Sequence, residues 1–213
     1  MTRLLDSTYV RIGNPEYVRQ NDSFGLTTLC NRHVDIKGSS IHFEFRGKRG
    51  VEQKVDVRDP RLARVVRECL EIPGYTLFQY CDEDGRRHPL ESGDVNEYLR
   101  TISGGVYTAK DFRTWGGTLR ALLELLDIGE GATHSQTRKN IVEAVKRVAK
   151  TLGNQPSACR KYYIHPRILE SYLDGVLLSK ARQHVAEVEC DVKRLKGLEP
   201  EEWVMLKLLA ECT

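Results

Sequence analysis

Thr108-Ala109-Lys110-Asp111-Phe112-Arg113-Thr114-Trp115 opens a run that continues through Leu119, Leu122, Leu123 and Leu126 to Gly129-Glu130-Gly131, and its reading decides the fold. The leucines recur at helical spacing and form one apolar stripe. Thr108, with Asp111 three residues on, is a variant of the capping box that starts a helix. The glycines around Glu130 stop it. Downstream, Ile141, Val145, Val148 and Leu152 predict a helix over about residues 135–152, and two more helices are expected at the C-terminal end. Upstream, Pro60 can open a helix in which Leu62, Val65, Val66 and Leu70 share a face, ended by Ile72-Pro73-Gly74. Leu77-Phe78-Gln79-Tyr80 is a short apolar piece, and Ser92 to Ile102 reads as helix.

The first part of the chain reads differently. Val34 to Lys37 is a short run of β-formers. Ile41, Phe43 and Phe45 alternate with His42 and Glu44, the period of a half-buried strand. After Gly47-Lys48-Arg49-Gly50 the segment Val51 to Val57 resumes that pattern, so a hairpin is expected whose tip carries Lys48 and Arg49. The expected fold class is α+β: a small β lobe over residues 1–58 and a helical body over 59–213.

The composition fits a globular chain. Of 213 residues, 40% are apolar, enough for a sizeable core. No run of about 18 apolar residues exists, so no membrane span is expected. The first residues lack the apolar stretch of a secretory signal, so the chain is expected to stay in the cytoplasm. Six cysteines stand at 30, 69, 81, 159, 190 and 212 without a Cys-x-x-Cys pair, and they read as structural or incidental thiols. Net charge is only +3, but its distribution is uneven. Between Arg138 and Arg167 there are eight Lys or Arg against one acid, Glu143, while from Glu187 to the end there are seven acids and four bases. A basic block suits a phosphate backbone, although a solvated helix face would look the same.

Several polar residues carry candidate chemistry, each beside a blander reading. Lys110 and Arg113, three apart near a helix start, share a face where anions are favoured; they could equally be solvated. Lys48 on a hairpin tip is either a general acid for a departing oxygen or a solubilising turn residue. Tyr162 and Tyr163 follow Cys159-Arg160-Lys161. A tyrosine nucleophile, whose ordinary pKa is about 10, needs cationic neighbours; the alternative is two packing aromatics. Arg11 is a loop anchor or a phosphate ligand, and nothing local decides. No Gly-x-x-x-x-Gly-Lys-Ser/Thr loop supports ATP hydrolysis, and no carboxylate cluster or His-rich motif supports a metal.

Five segments then occur in one order: Val10-Arg11-Ile12-Gly13-Asn14, Gly25-Leu26-Thr27-Thr28-Leu29, Phe45-Arg46-Gly47-Lys48, Ala109-Lys110-Asp111-Phe112-Arg113-Thr114-Trp115, and Leu152-Gly153-Asn154-Gln155-Pro156 through Tyr163-Ile164-His165-Pro166. Together they resemble the type IB DNA topoisomerases of bacteria and poxviruses over roughly the first 170 residues. The resemblance implies the catalytic fold shared with tyrosine recombinases, and a nucleophile at Tyr163, nine residues after Asn154 and just before Ile-His-Pro. It implies that Arg11 and Arg113 hold the nonbridging oxygens of the scissile phosphate and that Lys48 protonates the 5′-hydroxyl leaving group. It implies further that Lys110 is another cation beside that phosphate, and that Asn154 can donate a neutral hydrogen bond where poxvirus and eukaryotic members have histidine. Tyr17 corresponds to a DNA-contacting aromatic, and Arg49, Arg160 and Lys161 are expected to contact DNA.

The activity implied is relaxation of supercoiled double-stranded DNA through a 3′-phosphotyrosine link, without ATP, metal or other cofactor, by a monomer that is nucleoid-associated if bacterial. Family members usually carry a separate N-terminal domain that closes round DNA, and without it binding is expected to weaken. The same residues are compatible with two alternatives: a tyrosine recombinase or integrase, which shares the constellation, and a noncatalytic DNA-binding module.

Overall fold

The computed structural model describes residues 1–190 and 197–211. The chain packs as two compact units, Met1–Arg113 and Thr114–Thr213, so the boundary expected near residue 58 lies inside the first unit.

In the first unit, β1 (Val34–Lys37), β2 (Ser40–Arg46) and β3 (Glu52–Arg58) form an antiparallel sheet in the order β1-β2-β3. The alternation read in the sequence sets which face is buried: Ile41, Phe43 and Phe45 point into the core, while Glu44 pairs outward with Lys54 at 2.7 Å. Against them pack Leu4 and Leu5 of α1 (Thr2–Thr8), Ala63 and Val66 of α3 (Pro60–Glu71), and Val95 and Leu99 of α4 (Ser92–Ser103). Asp59 caps α3, accepting from the backbone N–H groups of Arg61 (2.8 Å) and Leu62 (3.1 Å).

Two details depart from expectation. Val65 is exposed rather than facing the core, because the buried line of α3 runs through Ala63 and Val66. Downstream, the apolar piece at 77–80 belongs to a second hairpin, β4 (Gln79–Cys81) with β5 (Arg87–Pro89). Its turn is held by Asp82, which accepts from the N–H groups of Asp84 (3.1 Å) and Arg86 (2.7 Å). The α+β class stands.

The long helix α5 (Ala109–Ile128) starts in the first unit and continues into the second. Its N-terminus is capped twice. Asp111 accepts from the N–H and hydroxyl of Thr108 at 2.8 and 2.9 Å, and Asn96 of α4 accepts from the N–H of Ala109 at 2.9 Å. Its buried line in the second unit is Ala121, Leu122 and Leu125, with Leu119, Leu123 and Leu126 half-buried. Around it stand α6 (His134–Thr151), α7 (Pro156–Tyr162), α8 (Pro166–Leu173), α9 (Leu177–Cys190) and α10 (Pro200–Ala210). Among the described residues the two helices expected after residue 152 are thus four, because Pro156, Pro166 and Pro200 each open a new helix. Trp115 Nε1 donates to Glu202 of α10 at 2.6 Å, and Tyr172 receives a hydrogen bond from Asn140 at 2.7 Å while donating to the Gly129 carbonyl.

Among the described residues no helix is long and apolar enough to cross a membrane, and no group of three or more metal-ligating side chains converges. Cys30, Cys69 and Cys81 are not in disulfides and Cys159 is buried; the Cys190 side chain and Cys212 lie outside the described residues.

A Cβ at Gly25 would stand 2.6 Å from both the N and Cα of Gly13, so Gly25→Ala should cost about 2–3 kcal/mol in denaturant unfolding; an unchanged midpoint would contradict the packing. His33 is buried, its ring edge-on to Phe24 at 4.4 Å, and its Nδ1 accepts the Cys30 N–H at 3.0 Å. Burial, and then the Arg32 charge, hold its pKa below the ordinary 6.5. A histidine lowered on folding stabilises fully above 6.5, and that stability is lost as pH falls through its folded-state value. Melting temperature should therefore fall from pH 7 towards pH 5, with a shallower slope in His33→Asn; equal slopes would contradict this.

Candidate active site

In the first unit the segment carrying Arg11 is fixed through its backbone. The Arg11 carbonyl accepts the Leu26 N–H at 2.9 Å, and the Ile12 carbonyl accepts the N–H (2.7 Å) and hydroxyl (2.9 Å) of Thr27. Two glycines permit this approach: Gly13 sits at φ +105°, where a side chain is strained, and Gly25 lies against it. Asn14 then caps α2 (Pro15–Asn21) through the Glu16 N–H at 2.8 Å. The motif read as a possible loop anchor is an anchored loop, and the Arg11 side chain is half-buried.

Lys48 and Arg49 are exposed on the β2–β3 tip, as the sequence predicts. The tip is closed by Gly47 N–H to the Val51 carbonyl at 2.8 Å and Gly50 N–H to the Gly47 carbonyl at 3.0 Å, with Arg49 at φ 66°. Sequence reasoning did not pair Lys48 with Tyr17. The structure does: the Lys48 ammonium stands 5.4 Å from the centre of the half-exposed Tyr17 ring, a cation–π contact worth about 0.5–1 kcal/mol at an exposed site.

Lys110 and Arg113 diverge from the expected shared face. Lys110 is exposed in the first turn of α5, whereas Arg113 is buried at 4% exposure and its guanidinium donates to the Tyr9 carbonyl. Tyr9 ends α1 in the left-handed region, which turns that carbonyl out of its helix. The reading of Arg113 as a solvated surface cation is therefore corrected. Its fork is held in place in this structure, which suits a planar ligand for phosphate oxygens.

In the second unit, Asn154 follows Gly153 at φ 60° and donates its backbone N–H to the Ala149 carbonyl at 2.8 Å. The two tyrosines differ. Tyr162 is 53% exposed with the Lys161 ammonium 5.1 Å from its ring centre, whereas Tyr163 is half-buried and its N–H donates to the Cys159 carbonyl at 2.9 Å. Arg160 and Lys161 are exposed. Within the basic block, Arg147 is committed to Glu124 (3.1 Å), Glu143 (3.1 Å) and Asp127 (3.3 Å), and the hydrogen bonds it donates to Glu124 and then Glu143 push its pKa further up. Arg138, Lys139 and Lys146 stand exposed on α6 without an ion pair among the described residues.

Sequence reasoning passed over one pair, Gly117 and Thr118 of α5. The signal was present: two adjacent glycines, Gly116 and Gly117, stand inside a helical run where each costs about 0.5–1 kcal/mol relative to alanine. Both are buried, and Gly117 lies directly under the backbone of Tyr163.

Residues 1–190 match the family described as eukaryotic DNA topoisomerase I, catalytic core. The chain is 31% identical over 179 residues to DNA topoisomerase 1B of Acanthamoeba polyphaga mimivirus, covering 81% of this chain and 53% of the relative. It is 25% identical over 168 residues to DNA topoisomerase I of Monkeypox virus, with coverages of 78% and 50%. To DNA topoisomerase 1 of Rabbit fibroma virus it is 25% identical over 184 residues, with coverages of 83% and 54%. The chain spans about half the length of the curated relatives it matches. The family match spans the range that holds every candidate residue from Arg11 to Tyr163, and the chain belongs to the catalytic-core family of the type IB DNA topoisomerases.

Proposed function

We propose that the chain relaxes supercoiled double-stranded DNA by transient single-strand cleavage, with Tyr163 as nucleophile and without ATP or metal. The observation that carries this reading is the family match over residues 1–190, a range holding all six residues assigned to the phosphate. Relatives named DNA topoisomerase 1B or I support it. So does the contrast between a half-buried, backbone-held Tyr163 and an exposed Tyr162.

On this reading the Tyr163 phenolic oxygen bonds to phosphorus as the P–O5′ bond breaks, and the phenol proton is lost to solvent. Arg11 and Arg113 hold the two nonbridging oxygens, and Asn154 donates a hydrogen bond to one of them. These donors act where negative charge builds in the transition state. Lys48 gives its proton to the departing 5′-oxygen, and Lys110 adds positive charge beside the phosphate. The broken strand turns about the intact one. The 5′-hydroxyl then attacks the phosphotyrosine, the bond from phosphorus to the Tyr163 oxygen breaks, Lys48 recovers its proton, the departing phenolate takes one back from solvent, and the strand is restored. Because the link conserves the phosphodiester energy, no nucleotide is consumed. Tyr17, Arg49, Arg160 and Lys161 contact the duplex. The protein acts as a monomer in the cytoplasm, at the nucleoid in a bacterial host.

The test is relaxation of a plasmid without any special target, in EDTA and without ATP. Wild type should relax it and Tyr163→Phe should not. A requirement for a defined site would favour a recombinase, and DNA binding without relaxation would favour a noncatalytic module. Lys48→Ala should slow cleavage by about 10²-fold with an ordinary 5′-oxygen leaving group, and much less with a 5′-thio leaving group, which needs no proton. An equal loss with both would remove Lys48 from the general-acid role.

A further inference from the structure

We infer that Gly117 and Thr118 of α5 form a backbone seat that positions Tyr163 for strand cleavage; this rests on Tyr163 being the nucleophile. A Cβ at Gly117 would run into the Tyr163 carbonyl oxygen and would stand 3.2 Å from both its carbonyl carbon and Leu152 Cδ1. The obstruction is backbone, which cannot swing aside as a flexible side chain would.

Thr118, buried at 3% exposure, makes the second contact. Its hydroxyl donates to the Thr114 carbonyl at 2.7 Å and accepts the His165 N–H at 3.0 Å, with the Tyr163 carbonyl 3.5 Å away. The link between α7 and α8 is therefore fixed at both ends. Tyr163 N–H is bonded back to Cys159, His165 N–H is bonded to α5, and Ile164 between them is buried. Tyr163 leaves the helix at φ −129°, ψ −9°, and Pro166 then opens α8, so the link is short. A phenol reaches its target through two side-chain torsions from such a backbone. Displacing the backbone displaces the attacking oxygen, and an error of about 1 Å can cost on the order of 10²-fold in rate.

Neither residue touches the reacting atoms, so both are positioning residues. The test measures single-turnover cleavage of a duplex oligonucleotide together with its affinity, in Gly117→Ala, Thr118→Val, Thr118→Ser and Tyr163→Phe. Thr118→Val keeps the volume and removes the hydroxyl. Gly117→Ala should lower the cleavage rate by about 100-fold and Thr118→Val by about tenfold, each with affinity within about threefold of wild type. Thr118→Ser should recover the rate to within about twofold, because it keeps the hydrogen-bonding oxygen. Wild-type rates in both Gly117→Ala and Thr118→Val, with Tyr163→Phe inactive, would overturn the seat and leave the nucleophile standing. Loss of affinity in step with rate, or no difference between Thr118→Val and Thr118→Ser, would also overturn it. A covalent adduct in Tyr163→Phe would instead overturn the parent reading.

Discussion

A helix can carry another backbone directly against its own only where it has no side chain, and α5 offers that opening at Gly117. The second unit is organised around this constraint. The link between α7 and α8 rests on α5 and donates a hydrogen bond from the His165 N–H to the Thr118 hydroxyl. The same helix reaches α10 through Trp115 and Glu202. A chain of bonds from Asn140 through Tyr172 to Gly129 ties α6, α8 and the end of α5 together. The glycine costs helix propensity and returns a fixed path for the chain through residues 163–165.

The first unit follows a similar rule with different parts. Side chains that could meet phosphate project from backbone already held by hydrogen bonds. Arg11 stands on a segment locked to the Gly25–Thr27 loop, and Lys48 on a closed hairpin tip. Arg113 is held by the chain end of α1 and Lys48 rests over Tyr17. The contrast is in energy. Arg113 is buried, where a charge-assisted hydrogen bond is hard to give up, while the Lys48 contact is exposed and weak. Lys48 is the more easily moved of the two cations.

The sequence made some of this legible, for identifiable physical reasons. The hairpin from Ser40 to Arg58 was readable because seven-residue strands show the twofold period and the glycines mark the tip. The hairpin β4–β5 was not, because three-residue strands are too short for a period, although Asp84-Gly85 was a turn cue. Apolar character alone puts Val65 on the wrong face of α3, because it does not say which side meets the sheet. The separate environments of Lys110 and Arg113 follow from where the Tyr9 carbonyl points, which no local pattern reveals. The site residues are legible only through the order of five motifs. Gly117 advertised only a helical cost, because what lies against a glycine is not written beside it.

The central claim is that one tyrosine, set by its seat on α5, forms the bond to DNA. Protease digestion of a trapped protein–DNA adduct, followed by mass mapping of the peptide that keeps the nucleotide, tests this most directly. The account predicts the added mass on Tyr163 alone. Its appearance on Tyr162, or on any other side chain, would contradict it.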